Sequence, residues 1–299
     1  MKLRGIIPPV ITPLTKRGTL DQSGFRILLN RLIEGGVHGL FLLGTTGEGP
    51  ALGIRLQKEV IQTAMSIVGN RLPVLAGISA AALDDSLEIA DHACRNGVAA
   101  LVCAPPCYFR PGEAEIVDYY KAVCSGVRLP LYLYNMPAMT KVSLPPALIL
   151  RLAELPRVTG YKDSSGNMAE FHEVLLALKE RDDFSIFVGP EELLAESVLF
   201  GADGGVPGGA NLNPRLFVRI YEAARAENIP ELRELQKEVY RQRRLYRIGQ
   251  DQSSLIKGLK CALAEQNVCG DSMTPPFQAF HRKERNEIRN LLRDLHLPE

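Results

Sequence analysis

The strongest constraint on this chain is an alternation of two periodicities. Eight short, almost wholly apolar runs recur at residues 6–11, 39–43, 73–76, 99–103, 131–134, 158–162, 185–188 and 204–206, and segments with helical spacing lie between them. The first such segment puts Phe25, Leu28, Leu29, Leu32 and Ile33 on one face, with Asp21 placed to cap its N-terminus. The fourth begins near Pro111-Gly-Glu and runs through Ile116, Tyr119, Tyr120 and Val123. Glycines at 35–36, 69, 97, 126 and 201 punctuate the helix ends. Strands that are apolar on both faces belong in a parallel sheet covered on both sides. Eight strand–helix units fit a (β/α)8 TIM barrel. A doubly wound open sheet is the competing fold, but it usually carries Gly-x-Gly-x-x-Gly after its first strand; here that strand runs into Thr12-Pro-Leu-Thr15. After residue 227 the strand pattern stops. Helical patterns at 229–247, 252–266 and 280–294 suggest a C-terminal helical extension. The expected division is a catalytic barrel, 1–227, and a three-helix domain, 228–299, with apolar surface left over for subunit contact.

Composition narrows the function classes. The chain of 299 residues is 46% hydrophobic, with a formal net charge of +1 and no charged tail. The basic run at 241–247 lies in a helical pattern and reads as a solvated face or a helix seam rather than a nucleic-acid surface. Six cysteines form no Cys-x-x-Cys pair, and their spacing matches neither zinc nor iron–sulfur ligation. Most lie beside apolar residues and read as small core residues, and a reducing cytoplasm is the simplest compartment. Five scattered histidines point to no metal. The N-terminus lacks a signal-peptide core, and no apolar run approaches the ~20 residues that span a membrane.

In a barrel the chemistry sits at the C-terminal ends of the strands. The sixth run closes on Lys162, followed by Asp163-Ser-Ser-Gly-Asn167. The second ends in Gly44-Thr-Thr-Gly-Glu48, and the fifth in Tyr134-Asn-Met-Pro137. A buried lysine amine can condense with a carbonyl to give an imine, an electron sink for an adjacent carbanion. Such a site needs a proton shuttle, which Tyr134 supplies if neighbouring hydroxyls polarise its phenol. It also needs donors for a substrate carboxylate, available from Thr45, Thr46 and their backbone amides. Plainer alternatives stand beside each residue. Lys162 could pair with Asp163 or snorkel to the surface, Tyr134 could be a rim aromatic, Gly-Thr-Thr-Gly a tight turn, and Glu48 a helix-start residue.

Taken together, these motifs resemble the dihydrodipicolinate synthase / N-acetylneuraminate lyase family of class I aldolases, and the likeness covers essentially the whole chain. The resemblance implies that Lys162 forms a Schiff base with pyruvate and that no other cofactor or metal is needed. It implies that Tyr134 is the general acid/base, that Thr45 and Thr46 hold the carboxylate, and that Thr46 helps relay protons. Tyr108 matches an aromatic that reaches into a neighbouring subunit's site. Gly189 and Val206 match backbone positions lining the pyruvate pocket. Ser164 and Glu192 match residues that face the substrate. The family is typically a homotetramer built as a dimer of dimers, and its partners are pyruvate or another 2-oxo acid and an aldehyde.

Departures from the family pattern bear on the substrate. Synthases usually carry an arginine two residues after Tyr-Asn-x-Pro, gripping the carboxylate of aspartate semialdehyde; this chain has Met139. A thioether cannot replace bidentate carboxylate recognition. Ile54, Ala81 and Cys107 replace residues expected to bind feedback lysine. Glu191-Glu192 resembles the acidic pair of the lyases, but Gly208 replaces the serine of sialic-acid enzymes. The expected function is cleavage or formation of a 4-hydroxy-2-oxo acid, such as a 2-keto-3-deoxy sugar acid or an N-acetylneuraminate-like compound. Alternatives are dihydrodipicolinate synthesis, a related keto-acid dehydratase, and a barrel that binds without catalysis.

Overall fold

A computed structural model describes residues 2–295. Eight parallel strands form one sheet: β1 (Gly5–Ile6), β2 (Leu40–Leu42), β3 (Val74–Gly77), β4 (Ala100–Cys103), β5 (Leu131–Asn135), β6 (Val158–Asp163), β7 (Ser185–Val188) and β8 (Gly204–Gly205). Their order is β1-β8-β7-β6-β5-β4-β3-β2. The seam between β1 and β2 is closed by three further bonds: His38 N–H donates to Ile6 O at 2.8 Å, Phe41 N–H to Pro8 O at 2.9 Å, and Val10 N–H to Phe41 O at 2.8 Å. The sequence suggests a first strand over 6–11, but β1 itself is only two residues. Pro8 and Pro9 have no N–H, so the ladder is interrupted although the chain keeps its course along the barrel.

The barrel helices are α1 (Gln22–Glu34), α2 (Ile54–Val68), α3 (Leu83–Arg95), α4 (Glu113–Gly126), the short α5 (Pro137–Thr140), α6 (Pro146–Ala153), α7 (Met168–Leu178), α8 (Leu194–Leu199) and α9 (Pro214–Arg225). Asp21 caps α1 as its sequence suggests, accepting from Gly24 N–H at 3.0 Å. Beyond the strands come α10 (Ile229–Gln242), a 3-10 turn at Arg243–Arg247, α11 (Ser254–Glu265) and α12 (Arg282–Asp294). The last four residues of the expected C-terminal domain lie outside those described. Among the described residues no helix is long and apolar enough to cross a membrane.

Two apolar layers account for strands buried on both faces. Leu40 and Leu42 turn outward into the layer shared with Phe25, Leu28, Val60 and Ile61 of the helices. Phe41 turns inward, joining Ile7, Leu75, Val102, Tyr132 and Phe187 in the barrel interior. Each fully buried side chain of this size contributes about 1.5–3 kcal/mol. Gly160 sits opposite Tyr132 in the ladder, and a Cβ there would run into the Tyr132 ring. Its missing side chain is what lets a large aromatic fill the interior below the site. Cys103, Cys124, Cys261 and Cys269 are buried and free, in keeping with their reading as core residues, whereas Cys107 is exposed.

Candidate active site

Strand alternation decides the fate of Lys162. On β6, Tyr161 packs into the outer layer while Lys162 points into the barrel, only 6% exposed. Asp163 turns away from it. That carboxylate accepts from Asn135 Nδ2 at 2.9 Å, Tyr161 OH at 2.8 Å and Ser165 Oγ at 2.8 Å. Neither plain alternative for the lysine survives: it does not pair with Asp163, and it does not snorkel. Tyr134 is its register partner on β5. Lys162 Nζ lies 4.0 Å from the Tyr134 ring centroid and 5.0 Å from that of Phe41.

Tyr134 is tuned by its surroundings. Burial alone would raise its phenol, but the Lys162 ammonium and hydrogen bonds with Thr45, Lys162 and Ser164 outweigh burial and hold it below its ordinary value. The Thr45 hydroxyl lies 3.2 Å from Tyr134 OH. A phenol held this way ionises more readily, and its phenolate can take a proton from the neighbouring ammonium and free the amine for attack.

The Gly44–Glu48 loop that carries Thr45 and Thr46 is fixed at its C-terminal end. Thr12 Oγ1 donates to Gly47 O at 2.7 Å, and Glu48 holds a left-handed backbone with φ of 56°. The Glu48 side chain is not simply a helix-start residue. It is buried in an ion pair with Lys260 of α11, and it accepts from Thr274 N–H at 2.8 Å. Lys260 also donates to Ser272 O at 2.8 Å. Burial holds the Lys260 amine below its usual value, although the Glu48 carboxylate pulls the other way.

A cavity of about 270 Å³ opens above Lys162, lined by Thr45, Thr46, Tyr134, Ser164, Gly189, Glu192 and Val206. Eight of the nine site residues expected from the sequence therefore meet at one cavity. Tyr108 does not reach it within the protomer: it is 85% exposed on the loop after β4, edge-on to Phe109 with ring centroids 5.1 Å apart. Met139 lies on the wall of this cavity and of a neighbouring one of about 210 Å³, which also touches Thr45, Tyr134 and Cys107. Arg110 is exposed on the Tyr108 loop, away from both walls.

The sequence reading missed the part of the wall supplied by the C-terminal helices: Arg243, Tyr246, Gln252, Leu255 and Ile256. Arg241 fits the expected solvated face, paired with Glu238 and 60% exposed, but Arg243 does not. Its guanidinium reaches Glu192 at 2.6 Å. Glu191, next to it, is buried and accepts from Gly209 N–H at 2.7 Å. Burial pushes its carboxyl up to about 7, against the opposing influence of that N–H, Tyr246 and Arg243. No local sequence signal joins residues this far apart along the chain.

Comparison with known proteins places this geometry. The profile of the Dihydrodipicolinate synthetase family matches residues 2–295. A probable 2-dehydro-3-deoxy-D-pentonate aldolase, YjhH of Escherichia coli K12, is 32% identical over 295 residues, covering 97% of each chain. The structure of a dihydrodipicolinate synthase from Bacteroides thetaiotaomicron superposes with a TM-score of 0.95 at 46% identity, covering 98% of this chain and 100% of the other. The structure of YagE from E. coli K12, solved in complex with pyruvate, superposes with a TM-score of 0.93 at 29% identity, covering 98% of this chain and 99% of the other. With its buried strand-end lysine and full-length match, this chain belongs to the dihydrodipicolinate synthetase family and is a pyruvate-dependent class I aldolase.

Proposed function

We propose that the protein cleaves, and in reverse forms, a 4-hydroxy-2-oxo acid of the 2-keto-3-deoxy sugar-acid type through an imine on Lys162. The observation that carries this reading is the buried Lys162 amine 4.0 Å from the Tyr134 ring, with the tyrosine hydroxyl tied to Thr45. Lys162 attacks the C2 ketone, and water leaves as the imine forms. Tyr134 accepts the proton of the C4 hydroxyl, the C3–C4 bond breaks toward the imine, and an aldehyde departs. The enamine is then protonated at C3, and water releases pyruvate from the lysine. Thr45 and Thr46 hold the substrate carboxylate, with Thr46 helping to relay protons. Gly189 and Val206 shape the pyruvate end, and Ser164 and Glu192 face the remainder of the substrate.

The substrate class is supported by the YjhH and YagE relatives and by Met139 on the cavity wall. The 46% identity to a structure named dihydrodipicolinate synthase favours a second reading, condensation of pyruvate with aspartate semialdehyde. Comparing kcat/KM for aspartate semialdehyde with that for glyceraldehyde, pyruvate being common to both, tests the choice. Preference for glyceraldehyde is expected; preference for the semialdehyde, with dihydrodipicolinate-type product, would overturn it.

The proposal extends to a cytoplasmic homotetramer in which Tyr108 completes a hydroxyl relay in a neighbouring subunit. Its support is a tyrosine too exposed in the protomer to be a core residue. The division into a barrel, 1–227, and a C-terminal helical domain, 228–299, is likewise proposed, supported by the end of β8 and the helices beyond it. Light scattering should give about four protomer masses. Mixed Tyr108→Phe and Lys162→Arg subunits should regain activity, whereas a fully active monomer would contradict the shared site.

A further inference from the structure

Among the described residues, Arg243 is the arginine on the wall of the Lys162 cavity. Its guanidinium is already engaged: Nη2 lies 2.6 Å from Glu192, with the two side chains 28% and 21% exposed. The guanidinium carbon sits 5.9 Å from the Tyr240 ring centroid. Gln236 Nε2 donates to Glu192 O at 2.6 Å, so α10 fixes the backbone that presents the carboxylate. A second carboxylate, Glu191, lines the same wall. One cation therefore faces two acids, and its buried Nε–H finds no hydrogen-bond partner among the described residues.

We infer that Glu192 sets aldehyde selectivity by masking Arg243, so that neutral hydroxyaldehydes are accepted and carboxylate-bearing ones are turned away. The inference rests on the aldolase reading above. The physical argument is one of competition. An incoming carboxylate must displace Glu192 from Arg243 and then lie beside the Glu191 carboxyl, an arrangement of like charges wherever Glu191 is ionised. A hydroxyl suffers neither cost, because it can accept from the guanidinium and donate to Glu192 at once. Partial burial keeps the pair from being screened as a surface bridge would be. In this view the arginine that a synthase uses as an anchor after Tyr-Asn-x-Pro has a counterpart here on a different element, held out of use.

The test compares the wild type with Glu192→Gln, Arg243→Met and the double variant. The readout is kcat/KM for condensation of pyruvate with succinic semialdehyde, divided by that with glyceraldehyde. Glu192→Gln should raise this ratio roughly tenfold or more, the worth of one freed charge-assisted contact, chiefly through a lower KM for the anionic aldehyde. Adding Arg243→Met should abolish the gain. Plain structural damage would lower both rates together and leave the ratio unmoved. An unmoved ratio in Glu192→Gln, or a gain that survives loss of Arg243, overturns the inference. Should neither aldehyde condense, calorimetry of succinate binding to the borohydride-reduced pyruvate adduct gives the same comparison, with tighter binding expected only in Glu192→Gln. Wild-type enzyme that forms no reducible pyruvate adduct would sink the aldolase reading itself; an adduct with an unmoved ratio sinks only the masking.

Discussion

Glu191→Gln isolates the electrostatic cost of building an acidic wall beside the site. In the folded protein burial pushes the Glu191 carboxyl from 4.5 up to about 7. The folded state therefore binds that proton more tightly than the unfolded chain between those two values. Stability falls as pH rises through this window: the penalty is absent below about pH 4.5 and complete above about pH 7. A rise of this size corresponds to about 3 kcal/mol. Glutamine preserves the volume and an oxygen to accept from Gly209 N–H, now at 2.7 Å, but it carries no charge to desolvate. Urea unfolding at fixed protein concentration should show the variant more stable than wild type by up to about 3 kcal/mol near pH 8, with little difference near pH 4.5. Equal differences at both pH values, or a loss of stability near pH 8, would refute the assignment of the cost to this carboxylate.

Other perturbations probe the remaining links. Lys260→Met should cost about 3–5 kcal/mol by calorimetry, because it strands the Glu48 carboxylate with Thr274 N–H as its remaining partner. Glu48→Gln combined with Lys260→Met should recover much of that loss, and a double variant no better than the single one would refute the pairing. Tyr134→Phe should still trap pyruvate yet lose about 10²–10⁴-fold in turnover; near-normal cleavage would show that the proton travels elsewhere. Thr45→Val removes a hydrogen bond that lowers the Tyr134 phenol, so the limb of the pH–rate profile requiring the phenolate should move to higher pH.

Much of this architecture was legible in the sequence because local rules agree with the global fold. Apolar runs located every strand, and Asp21 marked the start of α1. The exceptions have physical causes. Pro8 and Pro9 cut the first ladder short by withholding N–H donors. Lys162 followed by Asp163 read equally well as an ion pair, until alternation along β6 sent the two side chains to opposite faces. Glu48 gave no sign of its partner because Lys260 lies on α11, brought close only by packing of the C-terminal helices. The same holds for Arg243 and Tyr246: a basic run with helical spacing reads as a solvated face or a helix seam, and nothing local marks that one member pairs with Glu192 on the cavity wall. Tyr108 could be singled out by resemblance but not placed, since nothing within one protomer covers it.

The central claim is that Lys162 is the amine that carries the substrate. Incubation with pyruvate and borohydride followed by peptide mass spectrometry reads this directly. The account predicts one reduced pyruvate adduct, on the peptide containing Lys162, and its disappearance in Lys162→Arg, whose guanidinium stays protonated and cannot form the imine. The sharpest contradiction would be an adduct on Lys260, the other deeply buried lysine near the loop that carries Thr45 and Thr46, with Lys162 left unmodified.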